Sequence, residues 1–135
     1  MILSKLKVLS IFGISFSLAS MPVFSECYVA SEFSGASTRQ GEKFKLSEGA
    51  FSGKTFELNI DGDKSSVSSG ELTCLSVAST TLLCVDYGAE TKAVIETWAV
   101  YVEDGIVVHT KTINGYGKYN GAQVFIGKLQ GLCHQ

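Results

Sequence analysis

The sequence predicts an all-β domain: a small up-and-down antiparallel β-barrel of seven to nine strands, or a compact β-sandwich, with two disulfides. Beyond residue 25 the chain has no proline, and glycines punctuate it throughout. β-Branched and aromatic residues fill the intervals between those glycines, at a mean spacing of roughly 12 residues per strand. The four cysteines, Cys27, Cys74, Cys84 and Cys133, form an even set in a small chain of 135 residues.

The N-terminal residues bear on the compartment. Lys5 and Lys7 precede an apolar run from Val8 to Ala19, followed by Pro22 and the small residue Ser25. A basic segment, an apolar stretch of about 12 residues, a helix breaker and a small residue at the cut describe a cleavable signal peptide. The run is short of the roughly 20 apolar residues that span a bilayer. Glu26 directly precedes Cys27, where lipidation would need a small residue, so no stable membrane anchor is expected. The expected division is a signal peptide over 1–25 and a single β domain over 26–135, exported to the periplasm or secreted.

Removing Lys5 and Lys7 takes the net charge from −2 to about −4. The charges are interspersed, with no basic stripe, which argues against nucleic acid or an anionic membrane surface as partner. In an exported domain of this size the cysteines read as disulfides. Of the three pairings available, Cys74–Cys84 within one hairpin and Cys27–Cys133 between the two ends are preferred. Zinc is disfavoured, because no pair has C-x-x-C spacing and His109 and His134 are the only histidines.

Taken in order, a short strand is expected at Cys27–Val29. Another is expected at Lys43–Leu46, alternating with both lysines outward, and a third through Phe56, Leu58 and Ile60, ended by Asp61-Gly62. Ser65–Ser69 is a weak candidate. Leu72–Val77 and Thr81–Tyr87 read as a pair of strands with Cys74 facing Cys84. Thr91–Val102 has helix-like ends, but six β-branched residues in twelve make it a strand. Asp104-Gly105 turns it into Ile106–Ile113, Asn114-Gly115 ends that strand, and Ala122–Lys128 is the last. A Cys27–Cys133 bond would bring the first and last strands together, as closure of a meander requires, which favours the barrel. Trp98, Phe44, Phe56, Phe125 and Tyr87 are expected to fill its interior. The layout is similar to small calycin-like barrels and periplasmic inhibitor proteins in architecture alone, and architecture does not establish function.

Motifs that carry chemistry are few. Gly49–Thr55 is one residue short of a phosphate-binding loop and reads as a glycine turn between strands. Asp61–Ser65 lacks the glycine and the glutamate that a calcium loop needs at its sixth and twelfth places. No serine stands in a nucleophile elbow, and His109, alone in an alternating strand, reads as a surface residue. Glu96 interrupts an apolar face beside Trp98; an inward orientation would make it a buried carboxylate with a raised pKa, whereas a bulge would turn it outward. The segment Asn114–Gly121 is rich in glycine and asparagine and carries Tyr116, Lys118, Tyr119 and Asn120. Loop tyrosines give large contact area at low entropic cost, so these residues are the candidate binding loop. The functional expectation is a non-enzymatic binding protein with no cofactor or metal. It would act on an unidentified envelope or extracellular protein as an inhibitor, immunity or adaptor-like module. The alternative is a carrier of a small apolar ligand inside the barrel.

Overall fold

The computed structural model describes residues 25–134 apart from residue 69, and not the side chain of Tyr87. The expected signal peptide, Ser25 aside, therefore lies outside the described residues, as does the expected packing of Tyr87. The chain forms eight strands: β1 (Glu26–Arg39), β2 (Ser47–Ile60), β3 (Ser66–Val67), β4 (Thr73–Ala78), β5 (Thr81–Ala89), β6 (Lys92–Tyr101), β7 (Ile106–Asn114) and β8 (Gly121–Leu132). They make one sheet in the order β3-β2-β1-β8-β7-β6-β5-β4, antiparallel at every ladder. This is the expected meander curled into a nearly closed barrel. Its seam falls between β3 and β4, which approach each other without a hydrogen-bonded ladder.

Both disulfides form as expected. Cys74 and Cys84 are register partners on β4 and β5. Cys27–Cys133 ties the start of β1 to the residue after β8, beside the β1–β8 pairing that joins the two ends of the chain. Two such bonds in one domain belong to an oxidising environment. Among the described residues no helix is long and apolar enough to cross a membrane.

Three local expectations are corrected. Lys43–Leu46 is the tip of the β1–β2 hairpin rather than a strand. Lys43 and Phe44 both take positive φ there, and Phe44 is left 56% exposed instead of filling the interior. Gly49–Thr55 lies within β2 rather than forming a turn. The register slips between Ser31/Thr55 and Phe33/Phe51, with Glu32 at φ 56° and Gly53 at φ 73°. Paired irregularities of this kind bend long strands around a barrel, and glycine meets the positive φ without strain. The short strand expected at Cys27–Val29 is the start of a 14-residue β1.

The core collects Phe33, Leu58, Ile60, Leu82, Cys84, Trp98, Val107 and Phe125. Missing side chains make room for large ones. A Cβ at Gly127 would lie 2.6 Å from the Phe33 ring, so the glycine is the seat of that ring. Phe125 lies in register with Gly35, which pairs with Gly49. The aromatic residues thus concentrate on one side of the interior, around Trp98.

Candidate functional site

The β6–β7 hairpin positions the site. Counted outward from its Val102–Gly105 turn, Trp98 stands opposite His109 and Glu96 opposite Lys111. Leu82 and Phe125 extend the first row on the flanking strands; Cys84 and Gln123 extend the second. The first row is buried, with His109 only 4% exposed. The second row reaches the open end, so Glu96 is largely buried while Lys111 is about one-third exposed.

Aromatic rings form one wall. The Trp98 indole stacks on the His109 imidazole with centroids 4.0 Å apart, and Phe56 and Phe33 meet Trp98 at 5.2 and 5.8 Å. Phe51 stacks on Phe125 at 4.6 Å, and the Lys54 ammonium lies 5.7 Å from the Phe51 centroid. Facing this wall, Glu96 gathers two donors, with the His109 nitrogen just beyond hydrogen-bonding reach. Lys111 Nζ lies 3.1 Å from Oε1, Trp98 Nε1 donates to Oε2 at 3.3 Å, and His109 Nε2 lies 3.6 Å from that same Oε2. Burial pushes the Glu96 carboxyl up, but His109 and Lys111 together outweigh burial and hold it below its ordinary value. Glu96 therefore points inward without a bulge, and its pKa is lowered rather than raised, because its cross-strand partner is a lysine. His109 is interior as well, not a surface residue. At 3.6 Å its Nε2 is too far from Glu96 for a hydrogen bond, and this buried nitrogen has no other partner.

These groups line a cleft of about 260 Å³ that runs in from the barrel end past Lys54, Gly70 and Gln123. The interior is thus filled around Leu58 and Val107 and open above Trp98. Among the described residues the lining carries no serine, threonine or cysteine. What the cleft offers is a stacking wall, a carboxylate already compensated, a bare imidazole nitrogen and two ammonium groups.

The candidate loop lies at the same end but does not act as one unit. Tyr116 donates its hydroxyl to Asp86 Oδ2 on β5 at 3.1 Å, which with burial and the Asp86 charge raises its pKa. Its own backbone N–H donates to Asn120 Oδ1 at 2.7 Å. Asn120 Nδ2 donates to Gln40 Oε1 at 3.0 Å, and Gln40 N–H to the Asn120 carbonyl at 2.7 Å, joining this turn to the β1–β2 hairpin. Tyr116 and Asn120 are thereby committed to holding the loop. Lys118 and Tyr119 face solvent, with the Lys118 ammonium 5.2 Å from the Tyr119 centroid. Tyr119 also borders a small recess that shares Lys111 and Gln123 with the main cleft. Cys27, Cys133 and Glu57 come close enough to suggest a metal cluster, but both sulfurs are spent in their disulfide.

Phe33, Phe51, Lys111 and Gln123 are the site residues that the sequence did not single out, while Glu96 is the inward carboxylate it offered as one alternative and His109 was expected on the surface. The signal for the central four was present in the Asp104-Gly105 turn. Once that turn is fixed, antiparallel pairing sets Glu96 against Lys111 and Trp98 against His109. No family model, curated protein or solved structure matches the chain.

Proposed function

We propose that the protein is an exported, non-enzymatic binding protein that takes a small ligand into the mouth of its β-barrel. The observation that carries this reading is the aromatic cleft above Trp98, with Glu96, His109 and Lys111 converging on it. Concave apolar walls with a few oriented polar groups are the usual form of a small-ligand site. Export to the periplasm or the extracellular medium rests on the basic and apolar N-terminal segment together with the two disulfides. Trp98 is the sole tryptophan, so its emission reports the cleft directly. Titration with phenylnaphthylamine, an uncharged fluorophore, is expected to quench Trp98 saturably at one probe per chain. A linear, unsaturable response would remove the reading.

A second reading, contact with a macromolecular partner as an inhibitor or adaptor, is favoured by a separate feature. Phe44 at 56%, Leu46 at 72% and Tyr119 at 54% exposure cluster on the loops at the open end of the barrel. Exposed apolar residues rimmed by Lys43, Lys45 and Lys118 suit a protein contact. If that contact is the function, Tyr119→Ala weakens capture of the partner while the phenylnaphthylamine titration is unaltered.

A further inference from the structure

The charges around the cleft identify the ligand's polar group. Its lining carries two ammonium groups, Lys54 and Lys111, and one carboxylate, Glu96. That carboxylate is already engaged by Lys111 and Trp98, so it has little charge to offer a ligand. Lys54 has no ion-pair partner among the described residues and stands over the Phe51 ring. The adjoining recess under Tyr119, which shares Lys111 and Gln123, adds Arg39 and no acid. A net positive mouth thus opens on a chain whose overall charge is −2. Deeper in, His109 Nε2 is buried, unpartnered and part of the cleft lining. An orphaned buried nitrogen costs free energy that a polar atom of a ligand would recover.

From this arrangement we infer that the cleft binds a planar aromatic anion. Its ring lies among Phe51, Phe56 and Trp98, and its carboxylate or other acidic group sits between Lys54 and Lys111. The ring face is held by stacking, and the acid by charge-assisted hydrogen bonds in a partly desolvated mouth. Lys111 is the pivot, because it is exposed enough to reach outward while remaining beside Glu96. The inference rests on the small-ligand reading above and specifies the chemical class of what that site takes.

The test compares naphthoate with naphthalenemethanol, which has the same ring system and no charge, by calorimetry on the oxidised protein. Naphthoate is expected to bind at least tenfold more tightly, and the preference should shrink as salt is raised. Lys111→Gln should cut the ratio of the two affinities by about tenfold. Lys54→Gln, which leaves the Glu96 cluster untouched, should lower it in the same direction, so the test survives if Lys111→Gln folds poorly. Equal affinity for the two probes, with neither substitution changing the ratio, overturns the anionic preference but leaves the small-ligand reading standing. Failure of both probes to bind overturns both.

Discussion

At the scale of single residues, Glu96 shows how a cross-strand partner decides the state of a buried group. A carboxylate among aromatic rings would ordinarily be driven toward its neutral form. Here Lys111 and His109 reverse that, and the carboxyl is held below its usual range. A group whose folded pKa is depressed adds stability above its unfolded pKa, and that stability is lost as pH falls through the folded value. Glu96→Gln should therefore cost about 2 kcal/mol near neutral pH. It should also flatten the loss of stability as pH falls below the ordinary carboxylate range, as followed by thermal melts. Sequence reading could not settle the direction of Glu96, because β6 is apolar on both faces around it, with Val94 and Ile95 adjacent, and β7 is no clearer near its start. Val107 and Val108 give no alternation that would place His109 inside. Gly127 makes a second point at this scale. Its missing side chain seats the Phe33 ring, itself packed edge-on against Phe56 and Trp98. Gly127→Ala should cost about 1–3 kcal/mol in chemical denaturation, as overpacking of a filled core does.

At the scale of elements, strands with strong alternation and clear turns were legible, and strands built from small residues were not. β4 to β8 appear within a few residues of their expected bounds, since Asp104-Gly105 and Asn114-Gly115 mark their turns and valine and isoleucine fill them. Gly115 has a firm reason to be glycine, because at φ 85° a Cβ would come within 2.0 Å of the Thr91 carbonyl. β1 was read only at Cys27–Val29. Its continuation through Ser34, Gly35, Ala36 and Ser37 has low strand propensity and is held by pairing with β2 and β8 on both sides. The β7–β8 turn was correctly found but is less free than its glycines imply, because Tyr116 is tied to β5. That bond keeps the Tyr116 phenol protonated to higher pH. Asp86→Asn should bring the phenol's titration back down, measured by ultraviolet difference spectroscopy. The sign for stability is the reverse of that for Glu96. The Tyr116 contribution is complete below the ordinary tyrosine pKa and is lost as pH rises through the folded value.

At the scale of the whole molecule, the expected Cys27–Cys133 bond and the missing prolines pointed to a closed meander, and the β1–β8 pairing joins its two ends while a seam remains between β3 and β4. The seam at β3 and β4 and the cleft beside it were not legible. Both depend on β3 being only two residues long and on how far the bulged β1–β2 ribbon outreaches its neighbours. The disulfides divide the stabilisation of this barrel unequally. Cys27–Cys133 spans 106 residues and Cys74–Cys84 spans 10. The chain-entropy contributions are about 4.7 kcal/mol for the longer loop and less than about 3 for the shorter. Cys133→Ser should thus lower stability by about 2 kcal/mol more than Cys84→Ser in denaturant titrations. The central claim is that the working surface is inside the barrel mouth. Two-dimensional NMR of the oxidised protein titrated with naphthoate tests it most directly. The account predicts shifts concentrated on the Trp98 indole N–H, the His109 ring and the Phe51 and Phe56 rings, saturating together. Shifts confined to Phe44, Leu46 and Tyr119, with the Trp98 signal unmoved, would contradict it.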